Sequence, residues 1–146
     1  VIAVAETTGQ AGTLIERWHP ELTVGARLSR SGTSWSFRHQ AFDAANVTAT
    51  VQGIGALPRV ITARRSTSGV FDSLWVHVRA DGDPEAVGAV ASATTPSLGN
   101  LGGTLRVGNG LEGDVAEVLG YDRVLELDEL VEVQAYLVAK YALEAE

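Results

Sequence analysis

The chain has no cysteine and no methionine among its 146 residues. Disulfides, thiolate nucleophiles and cysteine-ligated zinc are therefore excluded. The redox compartment stays open, because secreted proteins also do without disulfides. Aromatic residues make up only 6% of the sequence, so each tryptophan has to be explained either as core or as a ligand contact. Long apolar runs are missing too. Nothing approaches the roughly 18 residues that cross a bilayer, and no segment has the layout of a secretory signal, so membrane insertion is not expected. Positive charge is scarce: 11 basic against 18 acidic residues give a net charge of −7 and a pI near 4.9. A phosphate backbone would be repelled by such a chain. Its best basic group, Arg59, Arg64 and Arg65, makes a weak case for a nucleic-acid partner, and none is expected.

What is present argues for a folded globule. Forty-five per cent of the residues are hydrophobic and the mean hydropathy is +0.10, enough for one domain over residues 1–146 with a real core. Val1 opens directly in a strand-like run without a methionine, which suggests a piece of a longer chain.

Short apolar or alternating runs recur between turn signals. Strands are expected over 1–5, 13–18, 22–29, 34–39, 46–51, 60–64, 71–80, 86–93, 105–108 and 115–121. Arg30-Ser31-Gly32-Thr33 marks one hairpin, and Asp81-Gly82-Asp83-Pro84 is the strongest turn signal. Residues 92–103, rich in Ser, Thr and Gly, read as loop. After Tyr121-Asp122-Arg123 the apolar period changes from two to about 3.6. Leu127, Leu130, Val133, Leu137 and Tyr141 fall on one side of an amphipathic helix, with Asp128, Glu129, Glu132 and Lys140 away from it. The expected fold class is all-β: an antiparallel jelly-roll sandwich carrying one C-terminal amphipathic helix.

The same stretch carries a resemblance. Gly113-Asp114-Val115-Ala116-Glu117-Val118-Leu119, followed by Tyr121-Asp122-Arg123-Val124-Leu125, resembles the G-D-I-A-E-V-L-V-Y-x-R-x-L strand that ends many concanavalin A-like (laminin G-like) lectin/glucanase domains of bacteria and phages. Ala135-Tyr136-Leu137-Val138-Ala139-Lys140-Tyr141-Ala142-Leu143 is similar to that family's terminal helix. The match covers about the last forty residues. It departs from the pattern at Glu126, where the family usually has Ser, and at Ala142, where it usually has Gly; both are cap positions. The resemblance implies further strands before Val1, and a lectin-like module outside the cell or on a virion.

Chemistry has few candidates. Glu112-Gly113-Asp114-Val115-Ala116-Glu117 fits E-x-D-x-x-E, the spacing of laminarinase-like glycosidases, in which one carboxylate attacks the sugar and another donates a proton. A regular strand puts Glu117 on the face opposite Glu112 and Asp114, and only a bulge after Asp114 gathers all three. Gly113 is an odd residue between two catalytic acids. The structural alternative, a turn glycine with acids serving nearby groups, is preferred, so no catalytic residue is expected. Asp81, Asp83 and Glu85 offer oxygen ligands suited to calcium, but solvated turn chemistry accounts for them and no metal or cofactor is expected. Three scattered histidines lack metal spacing, no Ser/His/Asp arrangement can be defended, and the glycines of 99–110 lack the strand-to-helix context of a phosphate loop.

The expected carbohydrate-binding residues are Trp75, His77 and Arg79. They share one strand face, opposite the aliphatic Leu74, Val76 and Val78. The competing reading is that the helix or another chain covers Trp75. Trp35, Phe37 and His39 are expected mainly in the core, and Trp18, beside His19-Pro20, as a strand-end plug in preference to a loop contact. The expected function is thus a non-catalytic lectin-like module, extracellular or on a virion surface, binding a cell-surface glycan or polysaccharide. The alternative is a virion decoration or tail accessory domain whose partners are neighbouring virion proteins or a second copy. A glycoside hydrolase ranks last.

Overall fold

The computed structural model describes residues 1–8, 11–19, 24–40, 47–52, 54–55, 57–68, 71–79, 86–92 and 104–143. Among the described residues ten strands and one helix follow each other. They are β1 (Ile2–Thr7), β2 (Ala11–His19), β3 (Val24–Ser31), β4 (Ser34–Gln40), β5 (Val47–Val51), β6 (Arg59–Ser68), β7 (Phe71–Arg79), β8 (Ala86–Ser92), β9 (Leu105–Asn109), β10 (Gly113–Leu119) and α1 (Leu127–Tyr141). Sheet A has the order β10-β1-β6-β7-β8 and sheet B the order β5-β4-β3-β2-β9, with every pairing antiparallel. The expected all-β antiparallel sandwich with one C-terminal helix is the fold. Pairing β1 with β10 closes the two ends of the chain together in sheet A.

Alternation builds the layer between the sheets. Ala3, Ala5, Ile61, Ala63, Leu74, Val76 and Val78 point inward from sheet A and meet Leu14, Leu28, Trp35, Val47, Ala49 and Val51 from sheet B. Trp35 is buried in this layer with Phe37 packed at its side, and His39 is fully buried. Arg30 is also buried. Its Nε donates to Gly32 O (2.8 Å) and its Nη1 to Thr7 O (3.2 Å), tying the β3–β4 hairpin to the end of β1.

A second cluster lies on the other face of sheet A. There Ile2, Val4 and Val60 pack against Leu125, Leu130, Leu137, Val138 and Leu143, so the helix lies across β1 and β6. Burying a Leu or Val side chain contributes on the order of 1.5–3 kcal/mol, so this cluster holds the helix down. The packed stripe differs from the expected one. Gln134 and Val138 are buried while Leu127 is 61% exposed. Gln134 Nε2 donates to Thr62 Oγ1 at 3.2 Å, which offsets part of the cost of its burial; its Oε1 has no partner among the described residues. Leu127 stands at the start of the helix, ahead of the turns that meet the sheet. At that end the backbone N–H of Glu126 donates to the Glu129 carboxylate (2.9 Å), so Glu serves where Ser was the usual residue. At the other end Ala142 adopts a left-handed conformation (φ 48°), and Leu143 N donates to Val138 O at 3.1 Å.

Two bulges change the expected faces. In β2 the register slips between Thr13 and Ile15, so Leu14 turns inward while Glu16 and Trp18, which plain alternation would put on the same face, point out of the sandwich. In β10 Val4 pairs with Glu117 and Ala5 with Val115, which leaves Ala116 as the extra residue. Val115 and Val118 therefore pack toward sheet B, whereas Leu119 packs under the helix. The Asp81-Gly82-Asp83-Pro84 turn and residues 93–103 lie outside the described residues.

Candidate functional site

The β10 bulge falls after Asp114, where a catalytic arrangement needs it. Paired residues share a face. Thr8 N bonds Glu112 O, Glu6 pairs with Asp114 and Val4 pairs with Glu117, so all three acids stand on the helix side of sheet A. The surroundings of Glu117 stabilise its charged form. The Glu117 carboxylate accepts hydrogen bonds from Lys140 Nζ and Tyr141 OH, both at 3.0 Å. These bonds hold its pKa below the ordinary value, whereas a general acid needs it raised. Glu117 clamps the last helical turn to β10. The oddity of Gly113 also has a mechanical cause. At φ 142° it lies so close to β1 that a Cβ would meet Glu6 O at 2.1 Å.

The Trp75, His77 and Arg79 side chains stand together on the outer face of β7, as their spacing predicts, and this is the face on which the helix lies. Their cross-strand partners on β6 are Arg64, Thr62 and Val60. His77 is only 4% exposed, and Trp75 and Arg79 are half-buried. The Arg64 guanidinium sits 5.2 Å from the Trp75 ring centroid and donates from Nη2 to Leu125 O at 2.9 Å, bridging the tryptophan to the helix entry. A cleft of about 390 Å³ opens nearby, lined by Thr62, Arg64, Tyr121, Arg123, Leu125 and Leu130 among others. None of Trp75, His77 and Arg79 lines it. Of the basic group Arg59, Arg64 and Arg65, Arg59 is buried, and Arg64 and Arg65 alternate in β6 while both border the cleft.

The outer face of sheet B was not singled out by sequence reasoning. Among the described residues no element packs over it. Its outward side chains line up in register across the strands. Asn109, Thr13, Ser29, Ser36 and Thr50 form one row; Arg106, Glu16, Arg27, Arg38 and Thr48 form the next; Trp18, Gly25 and Gln40 form a third. With strands about 4.8 Å apart, five of them span roughly 19 Å. Ser36 Oγ and Thr50 Oγ1 are 3.0 Å apart. Glu16 accepts from Asn109 Nδ2 (2.8 Å) and lies 3.7 Å from Arg106 Nη1. The Arg27 and Arg38 guanidinium carbons are 4.8 and 5.7 Å from the Trp18 ring centroid. Trp18 thus belongs to the outer face of sheet B, beside Arg27 and Arg38. Gly25, opposite Trp18, has φ 142°, and a Cβ there would meet Arg17 O at 2.2 Å, so β2 and β3 close up beside the ring. The available signal was the run of polar residues at alternate positions, 25–31 and 34–40, on both arms of one hairpin; the bulge at Leu14 hid that Trp18 belongs with them.

Asp81, Asp83 and Glu85 lie outside the described residues. No group of three or more His, Asp or Glu among the described residues is arranged to hold a metal ion. No described helix is long and apolar enough to cross a membrane. Comparison with protein-family models, curated proteins and solved structures finds no match to the chain.

Proposed function

We propose that the protein is a non-catalytic, lectin-like module that binds glycans at the surface of a phage particle or a bacterial cell. One observation carries this reading: the outer face of sheet B, over which no described element packs, with a tryptophan, three arginines and a row of hydroxyl and amide side chains set in register. Saccharides present hydroxyls and apolar C–H faces together, and a flat array of short polar side chains beside an aromatic ring matches both. The terminal resemblance to concanavalin A-like domains supports the same class, as does the sandwich with its C-terminal helix. The engagement of Glu117 by Lys140 and Tyr141 speaks for binding over hydrolysis. Trp75 and Arg79 form a second proposed contact surface, with His77 as buried support behind them.

A glycan array probed with the full chain tests the proposal. Retention of a glycan class by the wild type, lost in a folded Trp18→Ala variant, is the expected result. Loss in Trp75→Ala alone moves the site to the helix side of sheet A, and silence across bacterial polysaccharides refutes glycan binding.

A second reading, an accessory domain of a virion that contacts neighbouring proteins, is favoured by Leu105 and Val107. They lie on the edge strand β9 and are 63% and 51% exposed. Images of particles with the domain seated through β9 would support it.

A further inference from the structure

We infer that the cleft between β6 and the β10–α1 connection binds a small organic monocarboxylate with an apolar body, its carboxylate held by Arg64. This site is separate from the sheet B face and goes beyond the glycan-binding reading. At about 390 Å³ the cleft lies near the lower end of the ~300–1,000 Å³ usual for small-molecule sites. Ile2, Leu125 and Leu130, all buried, make much of its lining apolar, and Phe37 and the exposed Tyr121 add aromatic rings.

The charged side chains of the lining are Arg64, Arg65, Arg123 and Asp122. Arg123 is fully engaged, both terminal nitrogens donating to Glu129 at 2.6 Å. Arg65 already has an interaction partner, and the Val1 nitrogen donates to Ala63 O at 2.9 Å. Arg64 differs. Its guanidinium is fixed by Leu125 O, which accepts from Nη2 at 2.9 Å, and by the Trp75 ring, whose centroid is 5.2 Å away. Neither partner is anionic. Asp122 shares the cleft but forms no ion pair with Arg64, and no other described carboxylate does. Nε is buried and out of a ligand's reach. Nη1, which donates to none of the described residues, is the donor that remains. A cation already held rigid beside apolar surface is a preorganised contact, because binding need not order it again. The net charge of −7 and the nearby Asp122 oppose polyanions, so the ligand carries one carboxylate and gains the rest of its affinity by burying an apolar body.

The test titrates the isotope-labelled full chain with phenylacetate and isocaproate, and with phenylacetamide and phenethylamine, which keep the ring and change the charge. Phenylacetate should shift the backbone amides of 62–65 and 121–125. It should bind about tenfold or more tighter than phenylacetamide, the scale of a charge-assisted hydrogen bond. Arg64→Gln should weaken phenylacetate by a similar factor and leave phenylacetamide unchanged, a difference that general loosening of the fold would not produce. Asp122→Asn, at an exposed position, keeps the packing and should tighten phenylacetate about two- to fivefold by removing a neighbouring like charge. Equal binding of acid, amide and amine overturns the carboxylate site, as does phenylacetate binding that is indifferent to Arg64→Gln or weakened by Asp122→Asn. So does the absence of shifts in these amides with either acid at ~10 mM, where a small ligand of ordinary efficiency saturates its site.

Discussion

Replacing Gly113 by Ala separates a mechanical from a chemical account of the Glu112–Glu117 stretch. Gly113 pairs with Thr7 at the end of β10, at φ 142°, where a Cβ would lie 2.1 Å from Glu6 O and 2.8 Å from Thr7 Cα. Both obstacles are backbone, so no side-chain rotamer change relieves them. Backbone strain of this kind costs about 1–3 kcal/mol. Overpacking adds about 1–3 kcal/mol more. The sum, on the order of 2–6 kcal/mol, lowers the melting temperature of a chain this size by roughly 5–20 °C. Urea unfolding read by circular dichroism should give a lower midpoint with an unchanged slope, because the same surface is exposed on unfolding. A loss below about 1 kcal/mol refutes the close approach of β1 and β10 and reopens the question of why glycine stands between two acids.

Other consequences are independent of that one. Ala142→Gly removes a Cβ from a left-handed residue (φ 48°) and should stabilise the chain by about 0.5–1 kcal/mol after the greater freedom of unfolded glycine is counted; destabilisation in thermal melts contradicts the cap geometry. Leu137→Ala, at a fully buried position under the helix, should cost about 2–5 kcal/mol, and a loss under 1 kcal/mol would mean the helix is not packed on sheet A. The Glu129 carboxyl, paired twice with Arg123 at 2.6 Å, has its pKa lowered from 4.5 to about 2. A depressed carboxyl stabilises above its unfolded pKa, and the contribution is lost as the pH falls from about 4.5 through about 2. Carboxyl NMR titration should find this low midpoint and its return toward 4.5 in Arg123→Ala; an unmoved midpoint rejects the pair. Lys140→Ala should likewise raise the Glu117 midpoint, since Lys140 is the largest cause of its depression.

Much of the architecture was legible because it rests on period. Alternation in 60–64 and 71–80 marked strands, and the change of period after Arg123 marked the single helix. What escaped was tertiary. A bulge inserts one residue without breaking the apolar alternation around it, so plain alternation groups Leu14 with Glu16 and Trp18, and Val115 with Glu117 and Leu119, although each pairing puts them on opposite faces. Gln134 was left out of the expected apolar stripe, yet it is buried, its Nε2 donating to Thr62 Oγ1 on β6. Trp75, His77 and Arg79 were correctly grouped by parity, but parity does not say which sheet face a helix will occupy. The Trp18, Arg27 and Arg38 cluster draws one residue from each of three strands, and only the pairing of those strands brings them together.

The central claim, that ligand is taken on the open face of sheet B, is tested most directly by amide NMR shifts of the labelled chain titrated with an array-selected glycan. The account predicts perturbations concentrated on Trp18, Arg27, Ser36, Arg38 and Thr50. Perturbations confined to β7 and the 127–141 helix, or none at saturating glycan, would contradict it.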